Sequence, residues 1–311
     1  MNILLPAQIN AGGLLPFLAL LGKPLAADEE IVLDFSELRR VTPAGLVALV
    51  ATVVRWRREH HSVTFEGLKA CSILGYLQRM DLFKTCGVEL REPFQRHEAK
   101  GRFVPVRFID HQVDTMGKDL AGCLAPGGED YDHPMSHLYD LSWYVLTETA
   151  NNVRQHSRGL GYVSAQVNRT EGLVRLAMAD NGCGILKSFQ DVGFKWSQRM
   201  TDAEAIRKAL EPTVSSKGSP TNEGVGLTLV AGLMRQTKGW LMIVSGQGIL
   251  QISDDPKLKT MNLPEDARYQ GTLVVMTFRQ QNVLDYAALL HAAKIDAGLL
   301  QRAGEDIRFL P

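Results

Sequence analysis

Three polar side chains recur at every fourth position of the segment YDLSWYVLTETANNVRQHS: Glu148, Asn152 and His156. This spacing puts them on one stripe of an α-helix. A carboxylate can orient or deprotonate a nucleophile, and an amide oxygen one turn away is a hard ligand that suits Mg²⁺. The stripe therefore predicts a Mg-nucleotide site, with a solvated polar face as the alternative. The opposite side of the helix is predicted to face a core and carries Tyr139, Trp143, Leu146, Ala150 and Val153.

A second candidate element is the segment LAMADNGCGI, in which an apolar strand ends at Asp180 and continues through Gly182 and Gly184. A carboxylate at this position can accept a hydrogen bond from an exocyclic amine, and glycines let the backbone approach a flat ring. A plain tight turn is the alternative, because Asp-Asn-Gly is common turn chemistry.

A third candidate element is the polar, Gly-rich stretch SSKGSPTNEGVGLTLVAGLMRQ, which passes into an apolar helix at Gly224, Gly226 and Leu227. Helix N-termini that follow glycines offer unpaired N–H groups to phosphates, and Lys217 could add a positive charge. The stretch is neither a Walker A loop nor a GxGxxG turn after a strand. On its own it is also compatible with a flexible surface loop.

Taken together and in this order, the three elements resemble the N, G1 and G2 boxes of the GHKL (Bergerat-fold) superfamily of ATPases and kinases, over about residues 134 to 280. The resemblance implies ATP and Mg²⁺ as cofactors, Glu148 as the general base or water-positioning carboxylate, and Asn152 as the metal ligand. It also implies that Asp180 reads adenine. The remaining nucleotide-binding positions on this resemblance are His156, Gly182, Gly184, Lys217, Gly224, Gly226, Leu227 and Thr272, the last in the late strand GTLVVMTF.

Within the superfamily, the spacing of Glu148, Asn152 and His156 is most similar to that of the anti-sigma-factor serine kinases. Residues 185 to 223 would then form an ATP lid, with a helix predicted in TDAEAIRKALE. A histidine kinase is a weaker reading, because residues 96 to 133 show no long heptad hairpin. Machines of the gyrase, Hsp90 and MutL type need a large transducer domain, and only about 30 residues follow the last predicted strand.

The N-terminal segment EIVLDFSELRRVTPAGLVALVATVV resembles the STAS fold of anti-sigma-factor antagonists. Thr42, Pro43, Ala44 and Gly45 stand where that family has Asp, Ser, Ser and Gly, so the phosphorylated position carries Ala44 and lacks a hydroxyl. An unrelated small α/β domain is the alternative, since strand, helix, strand and helix is a common pattern.

The predicted fold class is α/β (α+β): a STAS-like domain over 1–95, an irregular connection over 96–133, a GHKL sandwich over 134–280 and a C-terminal helix within 281–311. In the sandwich, helices are expected on one face of a mixed, largely antiparallel sheet.

Composition limits the classes of partner. Lys and Arg together number 34, as do Asp and Glu, so the formal net charge is zero and no nucleic-acid partner is expected.

The apolar N-terminal run is broken by Pro16, which argues against an export signal or a membrane helix. Four scattered cysteines, Cys71, Cys86, Cys123 and Cys183, fit reduced thiols, so a cytoplasmic location is expected.

Two functions follow as alternatives. One is an ATPase or serine/threonine protein kinase that regulates signalling or transcription; the other is a non-catalytic protein whose lid responds to ATP or ADP and controls a partner. The expected protein partner is of the STAS or sigma-factor-related type. A homodimer is plausible by analogy alone.

Overall fold

The computed structural model describes residues 1–212, 214, 224–253, 255 and 257–300, and over these residues the protein has an α+β fold. None of the described helices is both long enough and apolar enough to cross a membrane. Lys217 and residues 301–311 lie outside the described ranges, so the predictions made for them have no structural counterpart.

Short parallel strands form the N-terminal half. They are β1 (Asn2–Leu4), β2 (Gln8–Ile9), β3 (Ile31–Asp34), β4 (Arg40–Val41) and β5 (Val63–Glu66). Strands β1, β3 and β5 form one parallel sheet in the order β1-β3-β5, and β2 pairs with β4. Strand β3 lies in the segment EIVLDF, which opens the stretch that resembles the STAS fold, and β5 lies in the segment SVTFEG.

The helices of this half are α1 (Leu14–Leu21), α2 (Pro43–Arg58), α3 (Leu74–Arg79) and α4 (Leu82–Thr85). Helix α2 begins with Pro43 at its first position, where the missing N–H costs no hydrogen bond. Its next ten residues, through Val53, are all buried, as expected for a helix covered on more than one side.

A second sheet dominates the remainder of the chain. Its strands are β6 (Phe103–Phe108), β7 (Gly161–Asn168), β8 (Leu173–Asp180), β9 (Trp240–Gly246), β10 (Gly248–Ile252), β11 (Lys259–Asn262) and β12 (Tyr269–Arg279). The order is β11-β10-β9-β12-β8-β7-β6, and over the described residues every pairing within this sheet is antiparallel. The apolar strand expected to end at Asp180 is β8, and the late strand expected in GTLVVMTF lies in β12. The sheet is antiparallel rather than mixed.

The helices that accompany this sheet are α5 (Val113–Leu124), α6 (Ser136–His156), α7 (Ile185–Val192), α8 (Asp202–Ala209), α9 (Gly226–Gln236) and α10 (Tyr286–Asp296). Helix α8 lies in the predicted lid helix, and a reciprocal capping box between Thr201 and Glu204 fixes its start. Helix α10 lies within the C-terminal segment predicted to be helical, and the Asp285 carboxylate caps it by accepting from the N–H of Ala288 at 3.0 Å.

Both faces of the seven-stranded sheet are covered. Leu176, Met178 and Ile243 face a core shared with α5, α6 and α9, whereas Ala177 and Val244 face a core shared with the N-terminal half. Because side chains alternate along a strand, one apolar run supplies both cores. The expectation of helices on one face is therefore incomplete, since α2 of the N-terminal half packs against the opposite face.

Residues 96–133 contain more regular structure than the irregular connection that the sequence suggested. Strand β6 pairs with β7 at the sheet edge, and α5 packs along α6. Pro105 in β6 and Gly117 in α5 are unusual within a strand and a helix, so the local sequence does not clearly predict either element. Gly117 lets α5 approach α6 closely, because a Cβ at this position would lie 2.4 Å from Oγ1 of Thr147.

Candidate functional site

Helix α6 brings Glu148, Asn152 and His156 to the wall of one cavity of about 370 Å³. The four-residue spacing therefore places all three on a common face, as predicted. On the other side of the helix Leu146 and Ala150 are fully buried, as predicted. Val153, expected on that side, is also buried but lines the cavity.

Two aromatic residues of α6 differ from the expectation of a core position. Tyr139 and Trp143 are only partly buried. They lie toward the edge where α5 crosses α6, and Nε1 of Trp143 donates to Asp114 Oδ1 at 3.2 Å. An indole that needs a hydrogen-bond partner is well placed at such a half-exposed edge.

Asp180 ends β8 with its side chain almost completely buried, 2% exposed. Its Oδ1 accepts from the backbone N–H of Gly182 at 2.8 Å, and its carboxylate also accepts from the backbone N–H of Thr272. Burial raises the pKa of Asp180 to about 7, although both backbone donors favour the charged form. The cavity thus contains a carboxyl group that changes charge near neutral pH and can accept from an amine.

The two glycines after Asp180 have different roles. Gly184 has a φ of +77° and lines the cavity at the start of α7. Gly182 is not among the described residues that line the cavity. Its α-carbon packs against the turn after α6, where a Cβ would lie 1.9 Å from the Ser157 carbonyl oxygen. Gly182 therefore positions Asp180 through its N–H rather than contacting a ligand in the cavity.

The start of α9 forms another part of the wall. Gly224, Gly226 and Leu227 line the cavity, and Gly224 has a φ of +65°. Glu148 lies against this helix terminus, because a Cβ on Gly226 would be 2.1 Å from its Oε2. Burial raises the pKa of Glu148 above its ordinary value. A partly desolvated carboxylate thus lies beside the N–H groups of a helix N-terminus.

Asn152 lines the cavity and has one unpaired hydrogen-bond donor. Its Nδ2 is buried and has no hydrogen-bond partner among the described residues. A buried amide of this kind costs free energy unless a ligand or solvent pairs with it. No group of three or more His, Cys, Asp or Glu in the described ranges could hold a metal ion by itself. The amide oxygen of Asn152 is a hard ligand that fits Mg²⁺, an ion that takes few protein ligands and completes its shell with phosphates and water.

Two residues that support the site were missed by the sequence reasoning. Ser245, 2% exposed, accepts from the N–H of Ile185 at 2.9 Å and donates to the carbonyl of Gly271 at 3.1 Å. Tyr269 donates to the backbone carbonyl of Asp180 at 3.5 Å. The position of Ser245 within the apolar strand WLMIVSG is a local signal that could have identified it, because a buried hydroxyl needs hydrogen-bond partners.

The cavity combines three chemical environments. Met178, Ile243 and Val274 provide an apolar floor, Asp180 with Thr272 forms one polar end, and the start of α9 with Glu148 forms another. No known family model matches the chain, and no curated protein matches its sequence. Over the described residues, the fold and site define an α+β protein with a partly buried cavity that has an apolar floor and polar ends.

Proposed function

We propose that this protein binds Mg-ATP in the α6 cavity and belongs functionally with the GHKL ATPases and kinases. The supporting observation is that one cavity gathers residues from all three predicted boxes, which are far apart in the sequence. These residues are Glu148, Asn152, His156, Asp180, Gly184, Gly224, Gly226, Leu227 and Thr272. A cavity of about 370 Å³ is also in the usual size range for small-molecule sites.

Each end of the proposed nucleotide has a matching environment. The adenine amine would donate to Asp180, and the ring would lie on the apolar floor. The phosphates would accept from the N–H groups at the start of α9, where Gly224 and Gly226 allow close approach. Mg²⁺, when bound, would neutralise phosphate charge, and Asn152 would supply its protein ligand.

Glu148 is the proposed catalytic residue. Its burial raises its pKa and so makes the carboxylate a better proton acceptor than an exposed glutamate. It would orient a water molecule in an ATPase, or a serine or threonine hydroxyl in a protein kinase, and accept the proton as the γ-phosphoryl group is transferred. We place this activity in the control of signalling or transcription, in a cytoplasmic protein.

A second candidate function is a non-catalytic regulator in which nucleotide binding orders the lid. The N-terminal half, proposed to be STAS-like, favours it. Ala44 is 2% exposed at the position that carries the phosphorylated serine in that family. The neighbouring Thr42 hydroxyl donates to the Ile9 carbonyl at 3.2 Å. The partner, of the STAS or sigma-factor-related type, would then have to be a separate chain.

The variant Glu148→Gln separates the two functions. If the protein is an enzyme, Glu148→Gln should bind Mg-ATP with near wild-type affinity while phosphate release falls by about 100-fold or more, as expected on loss of a general base. Wild-type protein that binds Mg-ATP without turnover would favour the regulator. Wild-type protein that binds no nucleotide would reject both.

A further inference from the structure

A second cleft, of about 290 Å³, lies between the end of α2 and the turn that follows α6. The cleft lies where the N-terminal half meets the end of β8. Its lining residues are Arg55, Arg58, Glu59, Arg158, Gly159 and Asn181.

Three arginines and one glutamate line this cleft, so its lining carries a net positive charge. Arg55 Nε lies 4.0 Å from Glu59 Oε2, and Arg158 Nη1 lies 2.6 Å from Asp191 Oδ2. Arg58 forms no ion pair within the described part of the chain. The neighbouring Arg57 is used elsewhere, since it donates to the carbonyls of Cys86 and Val63. The cleft therefore retains guanidinium donors for an incoming anion.

The wall of the cleft is fixed by packing and hydrogen bonds. Arg158 is held at a φ of +56°, and a Cβ on Gly159 would lie 2.5 Å from the backbone nitrogen of Gly182. The Asn181 side chain accepts from the N–H of Leu160 at 2.8 Å and donates to the Ala51 carbonyl of α2 at 3.1 Å. The guanidinium groups thus project from elements that are joined to one another.

We propose that this cleft binds a phosphate-class dianion, either free phosphate or the phosphoryl group of a modified side chain. Arginine forks suit such ligands because they donate several charge-assisted hydrogen bonds to phosphate oxygens.

Binding in the cleft is coupled to the α6 cavity, a coupling that rests on the proposed nucleotide-binding function. Asn181 directly follows Asp180 in the chain. Helix α2, which carries Arg55, packs against β12, in which the Tyr269 hydroxyl donates to the Asp180 carbonyl. An anion that binds Arg55 or displaces Asn181 changes the surroundings of Asp180. By linkage, a ligand at Asp180 then changes the affinity for the anion by the same factor.

A purely structural role would explain the same arginines differently, because basic residues in the last turn of a helix stabilise its C-terminus. That role predicts an effect of arginine substitution on unfolding but no saturable anion binding. Binding data therefore distinguish the two explanations.

The test is isothermal titration of the full chain, without nucleotide and at fixed ionic strength, with inorganic phosphate and with N-acetyl-O-phosphoserine amide. We expect saturable binding that weakens about tenfold in Arg58→Gln, the scale of one lost charge-assisted hydrogen bond. Arg40→Gln, an exposed arginine in β4, is the matched control and should bind as wild type. Tighter binding of the phosphoserine derivative would identify a modified side chain as the source.

Several results would overturn the proposal. They are the absence of saturable phosphate binding to wild type, equal phosphate affinity of wild type and Arg58→Gln, or loss of binding in Gly226→Ala with retention in Arg58→Gln, which would assign the anion to the start of α9 in the α6 cavity. For the coupling, saturating Mg-ATP should change the phosphate affinity at least threefold in wild type, and an unchanged affinity would refute it. If Mg-ATP does not bind, the proposed function fails, while the titrations without nucleotide still decide the anion site.

Discussion

The carboxylate of Glu148 occupies the space that a side chain on Gly226 would need, with only 2.1 Å between Oε2 and a Cβ at that position. Gly226 is the first residue of α9. The absence of a side chain there lets the carboxylate lie directly against the start of the helix. The position of Glu148 and the start of α9 are therefore linked, although 78 residues separate them in the sequence.

Replacing Gly226 with Ala should reduce phosphate release by at least about tenfold, because the Cβ displaces the Glu148 carboxylate from its place. Stability should change by less than about 1 kcal/mol, since the displaced group is the mobile end of a side chain and Ala favours the helix. Steady-state turnover and urea denaturation provide the two readouts.

The matched control is Gly122→Ala in α5, where a Cβ meets nothing within 4 Å. It should raise stability by about 0.5–1 kcal/mol and leave turnover unchanged. Full turnover in Gly226→Ala would contradict the role assigned to Glu148.

Asp180 should make stability depend on pH in a predictable direction. The folded carboxyl keeps its proton up to about pH 7, whereas the unfolded chain loses it near the ordinary value of 3.8. Its contribution is therefore complete below pH 4 and is lost as the pH rises to 7, at most about 4 kcal/mol. The measurement is the free energy of unfolding from pH 4 to 8 for wild type and Asp180→Asn.

The comparison with Asp180→Asn cancels the contributions of other titrating groups. Wild type should lose stability relative to the variant as the pH rises through this window. A constant difference would show that Asp180 titrates near its ordinary pKa in the folded protein, and a difference of the opposite sign would show that folding lowers its pKa.

The local period of α6 was sufficient to predict the stripe of Glu148, Asn152 and His156, because helical spacing alone decides which side chains share a face. The packing of Gly182 against Ser157 and the bonds of Ser245 were beyond such reasoning, since their partners are distant in sequence. The run LVRLAMAD did contain one unused signal. An apolar strand without clean alternation indicates burial on both faces, and α2 covers the second face.

Trp196 should report nucleotide binding. Its ring is 5.1 Å from that of Phe189, which lines the cavity, and it stacks on Phe194 at 4.8 Å. Because Trp196 is 37% exposed, movement of the segment that begins at α7 should change its solvation and hence its emission. Titration with ATP, followed by tryptophan fluorescence, measures the effect.

Trp196→Phe should keep nucleotide binding, measured by calorimetry, and lose most of the fluorescence change. Trp56 is fully buried in the core shared with the N-terminal half and should contribute little. An undiminished signal in Trp196→Phe would place the moving segment elsewhere.

The two halves should unfold together, because α2 and the seven-stranded sheet share one core. Two variants that retain only Trp56 or only Trp143 report on the N-terminal half and on α6, respectively. Their urea transitions should have the same midpoint and slope, as in two-state unfolding. Separate transitions would mean that the shared core contributes little to stability.

The central claim is that Asp180 reads a nucleotide in the α6 cavity, and isothermal titration of ATP with and without Mg²⁺ tests it most directly. Asp34→Asn is a matched control, because Asp34 also ends a strand and accepts a backbone N–H, that of Ser36, at 2.8 Å. We expect Mg-dependent ATP binding in wild type and Asp34→Asn, weakened at least tenfold in Asp180→Asn. Absence of binding in wild type, or equal binding in all three proteins, would contradict the account.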